Sequence, residues 1–272
     1  MADIHPTAQV HPSAVIAPGA HIGEHVHIAP YVVIEDDVHI GPHCRIDSFA
    51  CISQYTRMGG GNHVFHHASV GGTPQDLKFQ GEVSWLEIGD NNRIREFSTL
   101  HRGTGSGGGV TRIGNDNLIM AYAHVAHDCR LGNSIVMSNN ATLGGHVEVG
   151  DFAIFGGLSA VHQFCRIGNH AFLGGASAIG QDLPPFMLAS GHRARVIGPN
   201  VVGLRRRGAS QELIQALKAA CRLTWNADLP RKEALEQLER TYANLPELLD
   251  FVGFVRGSER GIAAAGRNSD EM

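Results

Sequence analysis

Aliphatic residues recur every six positions along the first two thirds of this chain, a spacing that no single helix face or flat strand repeats. From Ile4 the steps reach Val10, Ile16, Ile22, Ile28, Ile34, Ile40, Ile46, Ile52, Met58, Val64 and Val70. Ile88, Ile94 and Leu100 keep the phase. After a slip of one residue the series resumes at Ile113 and runs through Ile119, Val125, Leu131, Met137, Leu143, Val149, Phe155, Val161, Ile167, Leu173 and Ile179. These are 27 positions, and 14 of the 19 isoleucines occupy them, so the register reflects the fold rather than the composition. In an α-helix a six-residue step turns the side chain by about 600°, so successive members would point three ways round the axis.

Gly often follows the aliphatic residue, as at Gly23, Gly41, Gly89, Gly114, Gly132, Gly150 and Gly168, commonly with Asp or Asn next, which predicts a tight corner there. Four residues after the aliphatic one stands a small or β-branched residue, such as Ala8, Ala14, Ala20, Val26, Val32 and Val38. A short strand, a corner and an inward side chain, repeated, predict a parallel β-helix. At three hexads per coil it has about nine coils and a length of roughly 43 Å, taking about 4.8 Å per coil. Two segments leave the register. In 71–87 the register positions are Asp76 and Glu82, which an aliphatic core does not accept unpaired, so this segment is predicted to protrude. The second, 102–112, contains GTGSGGG and is expected to be a plain mobile loop.

After Ile179 the sequence QDLPPF is expected to end regular pairing. From Ser210, a candidate N-cap, Leu213, Ile214, Leu217 and Ala220 follow a helical period. Further helices are predicted to begin near Asp228-Leu229-Pro230 and Asn244-Leu245-Pro246, and the tail after Arg260 is expected to be frayed. The reading is mainly β: a parallel β-helix over 1–190 and a small α-helical C-terminal domain over 191–272.

Of the 272 residues 43% are hydrophobic and 18% charged, which excludes a disordered chain. The net charge of −4, from 22 basic and 26 acidic residues, argues against a general nucleic-acid binder. Five cysteines without a CxxC pair, no signal peptide and no long apolar run predict a cytoplasmic protein with reduced thiols and no stable membrane insertion. A prism of stacked coils has flat faces and no internal cavity. A site therefore forms on loops or between neighbouring prisms, and oligomerisation is part of the expectation.

Among 17 histidines, His5, His11, His21, His25, His27 and His39 are read as solvent-facing. His63, His66 and His67 invite a metal, yet His66 and His67, adjacent on a strand, would point to opposite faces. The segment His124-Val125-Ala126-His127-Asp128-Cys129 differs, because Val125 is fixed inward and leaves His124, His127 and Asp128 outside near one edge. A histidine beside a carboxylate is the usual assembly for a general base. Eighteen residues after His127 is Gly145, one coil away, with His146 next to it, and the same step from Gly144 reaches His162.

The strings NLIMAYAHVAHDC, NNATLGGHV, GGLSAVHQFCRIG and QDLKF resemble the UDP-N-acetylglucosamine 3-O-acyltransferase family of lipid A biosynthesis, over nearly the whole chain. The resemblance implies a left-handed, three-sided β-helix. It also implies a homotrimer with sites between subunits, and transfer of a 3-hydroxyacyl group from acyl carrier protein to the 3-hydroxyl of UDP-N-acetylglucosamine, the first step of lipid A biosynthesis. No cofactor or metal is implied beyond the phosphopantetheine of the carrier protein. His127 matches the general base, Asp128 its orienting partner, and Gly145 an oxyanion donor. His124, His146, His162 and Gln163 match residues lining the sugar-nucleotide and acyl cleft. Asp76 and Lys78 match sugar and phosphate contacts, and Asn200, Arg206 and Arg207 match nucleotide contacts. Gly175 matches the position that limits acyl length; glycine there implies a longer chain, and equally suits a tight corner. Val202 departs from the family, standing where an acidic residue is common. Two alternatives share the repeat: an N-acyltransferase of the same pathway, which carries an additional N-terminal nucleotide-binding domain, and a γ-type carbonic anhydrase-like metal enzyme. The latter's His-x4-His pair is not matched by His124-x2-His127.

Overall fold

Each member of the six-residue series lies in a short strand and points inward. The computed structural model describes residues 2–225 and 228–266. Among them, strands β1 (Asp3–Ile4) to β27 (Ala178–Ile179) each contain one of the 27 series positions in order, most of them two residues long. Each strand pairs in parallel with the strand three further on, which gives three sheets and nine stacked coils. The first sheet contains β1, the second β2 (Gln9–Val10) and the third β3 (Val15–Ile16). The fold is a left-handed parallel β-helix followed by a small helical domain.

From Ile22 to Ile179 every member of the series is at most 5% exposed, whereas Ile4 at the open N-terminal end is 39% exposed. Ala20, Val26, Val32 and Val38 are fully buried beside them, so each hexad supplies two core side chains. Full burial of such a side chain stabilises the fold by about 1.5–3 kcal/mol.

The corners differ from the sequence expectation. The left-handed backbone conformation falls on the third residue after the inward aliphatic, and His, Phe, Tyr, Asp or Asn usually occupies it. That conformation costs a non-glycine residue about 1–3 kcal/mol. Where the residue is aromatic, stacking on its counterpart one coil away offsets part of this cost: Tyr31, Phe49, His67, Phe97 and Tyr122 form one such ladder, with centroids 5.0–5.2 Å apart. His66 and His67 therefore lie at a corner rather than on a strand, with rings edge-on at 5.7 Å. The Asp or Asn after the corner glycine also stacks. Asn115 Oδ1 accepts from Asp90 N–H at 2.7 Å, Asn133 Oδ1 from Asn115 N–H at 2.8 Å, and Asp151 Oδ1 from Asn133 N–H at 2.7 Å.

Both departures from the register are extrusions, but the strands reach further into them than the sequence suggests. β12 (Ser69–Gly72) and β13 (Trp85–Ile88) bracket the first, and β15 (Thr99–His101) and β16 (Val110–Ile113) the second. The second is not a plain mobile loop. It contains a 3₁₀ turn over Gly105–Gly107, capped by the Thr104 hydroxyl, which accepts from Gly107 N–H. Pairing also survives Pro184-Pro185: Leu183 bridges Ile167, and β28 (Met187–Ser190) pairs in parallel with Phe172-Leu173 before turning into antiparallel β29 (Arg195–Pro199).

Four helices follow: α1 (Val201–Arg206), α2 (Gln211–Thr224), α3 (Arg231–Thr241) and α4 (Pro246–Arg256). Ser210 caps α2, its hydroxyl accepting from Leu213 N–H at 3.1 Å. The sequence pattern does not reveal α1. The chain beyond Arg260 is docked as far as the structure describes it: Ile262 and Ala263 are buried, and Ala263 O accepts from Trp225 Nε1 at 2.9 Å. The rest of the expected fray, 267–272, lies outside the described residues. Among the described residues no helix is long and apolar enough to cross a membrane.

Candidate active site

Because coils stack every eighteen residues, residues that follow the inward aliphatic by two positions form a column along each edge. On the edge between the third and first sheets that column holds His127, Gly145 and Gln163, two residues after Val125, Leu143 and Val161. The adjoining corner column holds Asp128, His146 and Phe164, all in the left-handed conformation. His127 Nδ1 and Asp128 Oδ2 are 2.8 Å apart, and the Asp128 side chain is 1% exposed. A carboxylate at that distance accepts from Nδ1–H and leaves Nε2 as the unprotonated nitrogen. A Cβ on residue 145 would lie 2.8 Å from His127 Nε2, so glycine is required where the next coil faces the imidazole. Among the described residues no protein group accepts from Gly145 N–H.

His146 stacks on Phe164 at 4.3 Å and stands edge-on to His127 at 5.2 Å. His124, on β18 (His124–Val125), is 2.7 Å from Thr99 Oγ1 and edge-on to His101 at 4.9 Å. Burial, more than the neighbouring His127, holds the His124 imidazole below its usual range, and burial does the same to His146. His101 is 6% exposed and its Nδ1 has no partner; burial followed by nearby His124 pushes it down to about 4. These rings are neutral near pH 7. Sequence reasoning did not single out His101, because it falls in the interrupted stretch where the eighteen-residue step fails.

Further residues around Asp128 were also missed. Thr104 N–H donates to Asp128 Oδ1 at 2.9 Å and the Thr104 hydroxyl to Oδ2 at 2.7 Å, while Asp128 N–H donates to Thr111 Oγ1 at 2.7 Å. Gly105 N–H donates to Glu82 Oε1 at 2.8 Å, which joins the two extrusions and holds the Glu82 carboxyl below the usual range. The first extrusion carries Asp76 and exposed Lys78, with Asp76 Oδ1 accepting from Lys78 N–H at 3.0 Å.

The ligand atoms of His127, Asp128 and His146 lie within 4.8 Å of one another. The carboxylate already receives Thr104 and His127, so the donors describe a hydrogen-bonded pair rather than an open coordination sphere. Cys129 offers no covalent route: it points inward, and burial raises its thiol to about 12.

The remaining residues are distributed around the prism. Exposed His162 and Gln163 lie two coils from His127 on the same edge, and His162 borders an apolar groove of about 540 Å³ lined by Ala160, Ala178, Ile179 and Ala263, with Arg193 among its residues. Gly175 sits in the turn at the opposite edge of the third sheet, just before left-handed Ala176, and a Cβ there would meet only Gly157 at 3.4–3.9 Å, so the corner has open space beside it. Asn200 and Arg207 lie at the edge between the first and second sheets. Asn200 caps α1, accepting from Gly203 N–H and donating to His170 O, and the Arg207 guanidinium stacks over Phe152 at 4.3 Å. Arg206 is exposed beside it, and Val202 is 62% exposed on α1. One chain thus unites the His127 column with the two extrusions, but not with Gly175 or the Asn200–Arg207 group.

Residues 182–263 match the family model described as Udp N-acetylglucosamine O-acyltransferase, Domain 2, and residues 1–36, 20–54 and 111–145 match the bacterial transferase hexapeptide repeat. The chain is 46% identical over 262 residues to the acyl-[acyl-carrier-protein]–UDP-N-acetylglucosamine O-acyltransferase of Thermodesulfovibrio yellowstonii, covering 96% of this chain and 99% of that protein. It is 52% identical over 209 residues to the protein of the same name from Burkholderia ambifaria, covering 75% and 80%. The solved structure of UDP-N-acetylglucosamine acyltransferase from Campylobacter jejuni superposes with a TM-score of 0.89 at 41% identity, covering 95% of this chain and 100% of that one. With a relative so similar over nearly its full length, and the repeat and the helical domain both matched, the chain belongs to the acyl-[acyl-carrier-protein]–UDP-N-acetylglucosamine O-acyltransferase family.

Proposed function

We propose that this chain transfers a 3-hydroxyacyl group from the phosphopantetheine thiol of acyl carrier protein to the 3-hydroxyl of UDP-N-acetylglucosamine, the first step of lipid A biosynthesis, with His127 as general base. The observation that carries the base assignment is His127 itself. Its Nδ1 is engaged by buried Asp128 while Nε2 faces the coil that offers the free Gly145 N–H. His127 Nε2 takes the proton of the sugar hydroxyl as its oxygen bonds to the thioester carbon. Gly145 N–H donates to the oxyanion so formed, a placement that often contributes several kcal/mol. The C–S bond then breaks, and the leaving sulfur takes the proton back from His127. Asp128 stabilises the transient imidazolium.

His124, His146, Asp76 and Lys78 receive the sugar and phosphates. The apolar groove beside His162 and Gln163 suits the acyl chain, and Gly175 leaves its far end open. Gly175, Asn200, Arg206 and Arg207 complete the cleft from a neighbouring chain, because they occupy other edges of the prism. A homotrimer meets this need with three equivalent clefts. The acidic carrier protein and the nucleotide diphosphate both suit the Arg205–Arg207 surface, and both place the enzyme in the cytoplasm.

The test is acyl transfer by purified protein with 3-hydroxyacyl carrier proteins of graded length. His127→Ala is expected to lose about 10²–10⁴-fold in turnover while still binding the sugar nucleotide. Near-normal turnover in correctly assembled His127→Ala would remove the base assignment.

A further inference from the structure

We infer that Thr104, at the start of the glycine-rich turn, is a positioning residue that locks the Asp128 carboxylate and through it the aim of His127. The inference rests on the reading of His127 as the base.

A carboxylate held only by one imidazole N–H is free to rotate about its Cβ–Cγ bond and exchange its oxygens. Here a single residue engages both: Thr104 N–H reaches Oδ1 at 2.9 Å and the Thr104 hydroxyl reaches Oδ2 at 2.7 Å. The hydroxyl has one proton and gives it to the carboxylate, an acceptor-only group, so toward Gly107 N–H at 3.2 Å it acts as acceptor. That bond closes the 3₁₀ turn, which ties the clamp's geometry to the turn. Gly107 is the residue that lets the turn settle onto the carboxylate, since a Cβ there would overlap Asp128 Cγ. The result is a buried anion with donors on both oxygens, its Oδ2 shared between Thr104 and His127 Nδ1. Loss of the hydroxyl leaves Oδ1 with the Thr104 N–H and Oδ2 with His127 Nδ1–H alone, which loosens the carboxylate and removes one of the two donors to Oδ2 in a buried place. Thr104 borders the hollow that holds Lys78, but it is only 1% exposed and its hydroxyl proton is committed to Asp128, so its effect is expected on turnover rather than on sugar-nucleotide binding.

The experiment compares intact protein carrying Thr104→Val, Thr104→Ala or Thr104→Ser, with assembly and melting temperature measured for each. Thr104→Val and Thr104→Ala are expected to lower kcat roughly 10- to 100-fold, the range of a hydrogen bond to a charged group, with KM for UDP-N-acetylglucosamine within about twofold. Thr104→Ser, which keeps the hydroxyl, restores most of the rate. In an Asp128→Asn background Thr104→Val is expected to cost less than about threefold more, because the two residues act in series. A turn that merely stabilised the fold would give the same loss in both backgrounds, and that result overturns the proposal. Wild-type kcat in assembled Thr104→Val or Thr104→Ala, beside an inactive His127→Ala, overturns the positioning role alone. An active His127→Ala removes the base assignment on which it stands.

Discussion

A histidine buried among other cationic groups resists protonation, since its charged form loses hydration that its neighbours do not restore. His101 is the extreme case, pushed down to about 4 from 6.5 by burial and by His124, His127 and Arg102. Above pH 6.5 it is neutral in both folded and unfolded chains. As pH falls from about 6.5 towards about 4 the unfolded chain takes up a proton that the folded one refuses, so stability is lost through that window. His124 and His146, lowered in the same direction, steepen the loss. The melting temperature is expected to fall by roughly 5 °C between pH 7 and pH 5, with a shallower slope in His101→Phe, whose ring leaves no orphaned nitrogen. A melting temperature flat over that range would contradict this account. At this scale His127 and Asp128 were legible because they are adjacent in sequence and Val125 fixes their side of the strand. Thr104 was not, because it stands 24 residues before Asp128 rather than on the eighteen-residue step.

The strands are too short to be stable singly, and each draws its stability from the coils above and below. Where the core admits polar residues, side chains continue the stacking: Asn62 Oδ1 accepts from Asn92 N–H at 2.8 Å, Asn92 Oδ1 from Asn117 N–H at 3.0 Å, and Asn117 Oδ1 from Ile135 N–H at 2.7 Å. Asn92 is fully buried, and its Nδ2 also donates to Gly114 O at 2.9 Å. Asn92→Ala leaves several of these groups without partners, and is expected to destabilise the protein by about 2–4 kcal/mol in chemical denaturation. A change below about 1 kcal/mol would mean that water replaces the ladder. Strand positions were legible from the hexads alone. The left-handed corner residue was not, because its backbone N–H is held by a carbonyl of the preceding coil whatever its side chain, as Ser134 N–H is by Asn115 O and Ala176 N–H by Gly157 O.

At the scale of the whole molecule, the predicted site is divided among three edges of one prism, which gives the proposed trimer a direct test. If each cleft takes His127 from one chain and Arg206 and Arg207 from the next, mixed trimers of His127→Ala and Arg206→Ala/Arg207→Ala chains contain one intact cleft. Co-expression is then expected to recover about one third of the wild-type activity per mixed trimer, while each variant alone stays impaired. No recovery in verified mixed trimers would place both groups in one chain's cleft. The sequence by itself determined the register, the inward side chains, the column of His127 and Gly145 and the Ser210 cap of α2. These follow from fixed steps of six and eighteen residues, which coil stacking turns directly into neighbours, and from capping chemistry local to a few residues. Only the tertiary structure decided where the two extrusions return, that the glycine-rich turn closes over Asp128, and that Asn200 and Arg207 lie an edge away from the base. An excursion from the prism breaks the step that relates sequence distance to space, so its contacts are chosen by the surface on which it settles.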